Sequence, residues 1–153
     1  MNAANICLLA INLWVGNAQV SEGRLVTMQS ACVEVADKAR EQGMDRYLAL
    51  AVAWEESRFT PTAVSSEGAV GTMQVIPRWA CPNRTRQGCD LVAAGVRAYL
   101  SWLKRYKEPR LALCHYNSGN RCNDRSRGYA VRVERKSVQL RRAAKDAAYV
   151  GRR

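Results

Sequence analysis

The apolar positions divide the chain into several helical stretches and one irregular segment. From Ser21 to Gly43 the residues Leu25, Met28, Cys32, Val35 and Ala39 recur three or four apart, the spacing of one helix face. Ser21 suits an N-cap, because its hydroxyl can accept from a first-turn N–H, and Gly43 suits the left-handed residue that ends a helix. Asp45 can cap a second helix carrying Leu48, Leu50, Val52 and Trp54. That helix must end near Phe59, since Pro61 disfavours helical geometry in the residue before it. Between Thr60 and Gly71 the periodicity gives way to Ser, Gly and other small residues, which predicts an irregular, hairpin-like loop. A short helical turn is predicted through "TMQVI", residues 72–76, up to Pro77. Asp90 then caps "LVAAGVRAYLSWLKRY", with Leu91, Ala94, Ala98 and Leu103 near one face. Pro109 fits the first position of "PRLALCHYN", which Gly119 stops, and the tail from about Gly128 to Ala148 is helical by propensity. The pattern predicts a mainly α protein of five or six helices around one core.

The first twenty residues stand apart, and two readings of them remain open. The run "ICLLAINLWV" resembles the apolar part of a signal peptide, with Gly16 and Ala18 as small residues before a cleavage point. No Lys or Arg precedes Arg24, however, and a retained N-terminal helix fits equally well. The run is too short to span a membrane, which takes ~20 apolar residues. The expected organisation is therefore an apolar segment at 1–20 followed by one domain at 21–153, since 153 residues suffice for a single core.

The cysteines narrow the compartment. Six are present, at Cys7, Cys32, Cys81, Cys89, Cys114 and Cys122, with no CxxC and a single histidine, so zinc-ligand spacing is absent and no metal is expected. Cys81 with Cys89, and Cys114 with Cys122, bracket short loops that a disulfide could close, each contributing roughly 2–3 kcal/mol in the chain-entropy model. Cys7 and Cys32 complete the set of candidate disulfide cysteines, although removal of residues 1–18 would leave an odd number. Disulfides imply an oxidising place of action.

Charge changes the picture only in part. The chain carries a formal +11, and residues 121–153 hold 11 Lys/Arg against 3 Asp/Glu. Such a tail suits any polyanion, but it has no aromatic interleaving of the kind that stacks bases. A solvated basic helix is the plainer reading, and a nucleic-acid partner is not expected.

Candidate chemistry is concentrated in "WEESRFTPTAVSSEGAVGTMQVIP", where Glu55 and Glu56 adjoin at the end of an apolar helix. Helix spacing does not choose between them, because both can approach the core. A glutamate at its ordinary pKa of ~4.3 is protonated only ~0.2% of the time at pH 7, whereas a burial-raised value of ~6 gives ~10%, useful for protonating an ether oxygen. Cleavage of a glycosidic bond needs such an acid.

The run Glu56-Ser57, Phe59, Pro61, Ala63, Ser65, Gly68-Ala69, Gly71, Met73-Gln74 and Pro77 resembles the signature of the soluble lytic transglycosylases, lysozyme-like enzymes related to goose-type lysozyme. The later "AGVRAYLSWLKRY…LALCHYNSGN" resembles the same family's second block, ending in Tyr116, Asn117 and Gly119. The similarity covers roughly residues 45–120 and implies a lysozyme-like fold. It implies Glu56 as the catalytic acid, with Ser65, Met73, Gln74, Tyr116 and Asn117 lining the sugar cleft and the Tyr116 hydroxyl near the carboxyl. Thr72 departs from the usual leucine, and a cysteine-bounded insert follows Pro77.

Most glycosidases use two carboxyls. Beyond Glu56 the acids of the matched region are Glu67, Asp90 and Glu108, none at a family catalytic position. The resemblance implies that the substrate supplies the nucleophile: the 2-acetamido carbonyl attacks as Glu56 protonates the leaving oxygen, and the muramic 6-hydroxyl then closes a 1,6-anhydro ring. No cofactor is expected, and the expected partner is the peptidoglycan glycan strand, whose stem-peptide carboxylates would attract the basic tail. A phage particle acting with tail or ejection proteins, or an exported enzyme serving a secretion apparatus, would each bring it to the periplasm. The rivals are a hydrolytic lysozyme and a wall-binding structural component of a virion or secretion machine.

Overall fold

The computed structural model describes residues 1–152. Seven helices follow in order: α1 (Ala3–Val15), α2 (Glu22–Gln42), α3 (Arg46–Ser57), α4 (Pro77–Ala80), α5 (Leu91–Tyr106), α6 (Pro109–Ser118) and α7 (Asp124–Val150). Six are substantial, and α4 is a single turn. Among the described residues there is no strand, and no helix is long and apolar enough to cross a membrane.

Local chemistry sets most boundaries. Ser21 accepts from the Arg24 N–H, Asp45 from Tyr47 and Leu48, and Asp90 from Ala93, each satisfying first-turn donors that a helix leaves unpaired. Gly43 closes α2 at φ +80°, returning its N–H to Ala39 and Arg40. Pro77 and Pro109 both stand in a first turn, where a missing N–H costs nothing.

The centre is α3, buried on every side from Leu48 to Trp54. It packs against α2 and α7, and α6 lies against both α5 and α7. A short helix hydrophobic all round is stable only inside such a cage. The N-terminal segment contributes to the cage as well: Ile6, Cys7, Ala10 and Ile11 of α1 are buried, and Cys7 is bonded to Cys32 of α2. Cys81 pairs with Cys89 and Cys114 with Cys122.

Two boundaries differ from the sequence expectation. The helical turn expected through 72–76 lies instead after Pro77. Gln74 takes φ +50°, outside right-handed helix, and Val75 pairs with Val70 in an isolated bridge. The last helix starts earlier than Gly128, because Asn123 and Ser126 exchange hydrogen bonds in a capping box whose pattern departs from the common Ser/Thr-to-Glu form.

Candidate active site

Glu56 sits in the last turn of α3, and the chain leaving that helix reverses sharply over it. Arg58 and Phe59 take φ +53° and +57°, two successive left-handed residues of a kind that costs of order 1–3 kcal/mol each. The strain is held from outside. Arg24 on α2 donates to the carbonyls of Arg58 (2.7 Å) and Phe59 (3.2 Å) and to the Thr60 hydroxyl (2.7 Å), while the buried Phe59 ring packs against Trp14 and Trp54.

Ser57, next to Glu56, fastens the returning loop. Its hydroxyl donates to the Thr72 carbonyl at 2.8 Å and accepts from the Thr60 N–H at 3.0 Å. The loop is braced again by Gln74, whose amide donates to the carbonyls of Ala63 (3.0 Å) and Gly71 (2.9 Å). Gly71 stands at φ +81°, and a β-carbon there would lie 3.1 Å from Leu91, so this turn accepts little but glycine.

The two acids diverge. Glu55 forms ion pairs with Arg132 (3.4 Å) and Lys136 (3.3 Å), one turn apart on α7. Glu56 meets no cation; it accepts from the Tyr129 hydroxyl at 2.8 Å. Burial pushes the Glu56 carboxyl up to about 7, the Tyr129 hydrogen bond pulls it down, and the nearby Glu55 charge adds to the rise. Tyr116 and Tyr129 are raised well above the ordinary tyrosine range, chiefly by burial and then by the Glu56 charge, so both phenols remain proton donors at neutral pH. A carboxyl near neutrality, backed by a neutral hydroxyl and only partly buried, is equipped to give and retake a proton.

The other residues singled out from sequence lie on the loop that follows α3 and on α6, with different exposures. Tyr116 on α6 donates to the Met73 carbonyl at 2.6 Å, joining α6 to the loop, while its phenol lies within electrostatic reach of Glu56. The Met73 side chain is wholly buried, packed against Gly95 of α5, so the loop presents its carbonyl rather than its thioether. Ser65 is half-buried, and its hydroxyl accepts from the Glu67 and Ala69 N–H groups, shaping the turn. Asn117 is exposed at the end of α6, beside Tyr116.

Sequence reasoning missed Tyr129. It lies in the basic tail, which its charge presents as a solvated helix. The available signal was its spacing with Ser126, Ala130 and Val133, which marks the buried face of α7.

No curated protein and no solved structure matches the chain. One family model does: the Transglycosylase SLT domain matches residues 34–139, a span that contains Glu56, its loop, Tyr116 and also Tyr129. Since that match takes in well over half of the sequence, the chain belongs to the SLT family of lytic transglycosylases, which act on peptidoglycan.

Proposed function

We propose that the protein cleaves the β-1,4 bond between N-acetylmuramic acid and N-acetylglucosamine and leaves a 1,6-anhydromuramic end, with Glu56 as acid and then base. The observation that carries the reading is a single carboxyl near neutrality with no free carboxylate partner. Of the carboxylates among the described residues, Glu55 is the one whose charge raises Glu56, and it is occupied by Arg132 and Lys136. Protonated Glu56 gives its proton to the leaving glucosamine oxygen as the substrate's acetamido carbonyl attacks the anomeric carbon. The resulting carboxylate takes the proton of the 6-hydroxyl, whose oxygen displaces the acetamido group. No water is consumed and Glu56 ends protonated. Ser65, Gln74, Tyr116 and Asn117 would line the cleft, and Met73 would contribute through its carbonyl.

Mass spectrometry of digested muropeptides tests the product, because anhydro ends are lighter by one water than reducing ends. A digest containing only reducing ends would replace this reading with a hydrolytic lysozyme. Three disulfides require an oxidising place of action, met by export or by delivery in a phage particle.

Glu55→Gln is expected to keep activity within about threefold of the parent, since a neutral group at this position leaves the Glu56–Tyr129 pair in place. It should also move the alkaline limb of the pH–rate profile slightly down, because the charge that raises Glu56 is gone. A loss as deep as that of a Glu56 variant would reverse the assignment.

Tyr129→Phe should act on the other side of the balance. Its hydroxyl lowers the Glu56 pKa, so removing it moves the alkaline limb up while the rate at the optimum falls about fivefold for want of positioning. An unmoved limb in a pH–rate profile would mean that the hydroxyl does not touch Glu56 during turnover.

A further inference from the structure

A groove of about 1000 Å³ runs between α4 and α5 and reaches Gly119 and Asn120, just beyond Tyr116. This is the upper end of the ~300–1,000 Å³ usual for ligand pockets, and the acid chemistry at Glu56 makes no use of it. Its floor is a face of α5 carrying the small residues Ala98 and Ser101, its sides include Trp79 and Trp102, and Arg97 and Lys104 stand along it.

Three features point to an occupant. Trp79 is 72% exposed, yet its turn is anchored two residues later by the Cys81–Cys89 disulfide. A large indole held in water on a fixed support is characteristic of a binding surface. Trp102 is fixed as well, stacked on Tyr106 and His115 at 6.0 and 5.1 Å. Finally, the groove is lined by two cations, Arg97 and Lys104, and by no acid, the nearest charge acting on Arg97 being that of Asp90 at the start of α5. Seven positions of helix separate the two cations by about 10 Å along the axis, a span that about three residues of extended peptide would cover.

We propose that this groove holds the stem peptide of a muramic unit next to the cleavage point, with peptide carboxylates on Arg97 and Lys104 and alanine methyl groups over the small-residue floor and the tryptophan faces. The inference rests on peptidoglycan as substrate. A strand stripped of its peptides keeps one lactyl carboxylate on each muramic unit, close to the sugar ring, whereas a stem peptide carries its carboxylates out along an extended chain that can reach both cations. The groove would then select strands that still bear peptides.

The test uses the full chain carrying Glu56→Gln, so that binding is measured without cleavage. Soluble glycan oligomers with intact stem peptides, and the same oligomers stripped of peptide by an amidase, are titrated calorimetrically. The peptide-bearing form is expected to bind about tenfold more tightly. Adding Arg97→Ala and Lys104→Ala should erase that preference, and Trp79→Ala should reduce it about fivefold. Arg40→Ala with Arg46→Ala, on α2 and α3, removes the same charge outside both the groove and the basic tail and should leave the preference intact. Equal binding of the two oligomers by the Glu56→Gln protein, or an equal loss in this control, overturns the proposal. If the parent enzyme yields no cleaved product while the preference persists, the proposed activity fails and the groove assignment stands.

Discussion

Replacing Glu56 by glutamine is expected to reduce release of muropeptides from purified peptidoglycan by at least ~10³-fold. General acid–base catalysis by one positioned group contributes about 10²–10⁴-fold, and in the proposed mechanism one carboxyl supplies both the proton given to the leaving oxygen and the base that takes it back. Glutamine retains the volume and can still accept from Tyr129, so the cleft should keep its shape. Residual activity within tenfold of the parent, with folding verified by circular dichroism, would remove Glu56 from the mechanism.

The same substitution should make the protein more stable above neutral pH. In the unfolded chain Glu56 titrates near 4.5, and in the folded protein near 7. Below 4.5 it is protonated in both states. Between the two values the unfolded chain ionises first, the folded state holds more protons, and stability falls as pH rises. Above 7 the buried charge costs about 3 kcal/mol, the order set by that interval at 1.36 kcal/mol per unit. Glu56→Gln removes the cost, so its Tm should exceed the parent's by about 5–10 °C at pH 8.5 and by little at pH 4. Equal Tm differences at both pH values would show that burial does not hold the carboxyl up. Loss of function and gain of stability in one variant is the expected mark of an acid kept where solvent would not choose to put it.

Why the sequence could not choose between Glu55 and Glu56 is now physical. The deciding contacts come from α7, through Arg132 and Lys136 on one acid and Tyr129 on the other, more than seventy residues away in the chain. Helix periodicity reports a face, and both acids lie near the seam where α3 meets α7. Only the family pattern around Ser57, Gly71 and Gln74 favours Glu56 from the sequence. Boundaries set by one residue and its own neighbours were readable: Ser21, Asp45 and Asp90 cap as expected, and Gly43 and Pro109 stop and start helices as their backbones require. The turn at 72–76 was not, since Gln74 is left-handed for tertiary reasons. Its amide satisfies two loop carbonyls, and the helix waits for Pro77. Local propensity carries no information on such a brace.

Gly95→Ala is expected to cut activity by about tenfold to a hundredfold, although alanine is the better helix former by about 1 kcal/mol. A β-carbon at position 95 would lie 2.5 Å from the Met73 β-carbon and 2.9 Å from its γ-carbon. The β-carbon is fixed to the main chain, so relief requires the loop itself to move. Overpacking of this kind costs about 1–3 kcal/mol, which leaves a net destabilisation of up to about 2 kcal/mol after the helix gain. The greater effect falls on geometry. The Met73 carbonyl holds the Tyr116 hydroxyl, and the preceding Thr72 carbonyl holds Ser57 beside Glu56. A shift approaching 1 Å in a catalytic arrangement can cost ~10²-fold. The matched control is Gly23→Ala, at an exposed position of α2 where a β-carbon meets nothing within 4 Å. That variant should gain up to about 1 kcal/mol in denaturant unfolding and keep full activity. Opposite signs from the same chemical change would locate the constraint at the contact between Met73 and α5, whereas parental activity and stability in Gly95→Ala would show that the loop does not depend on it.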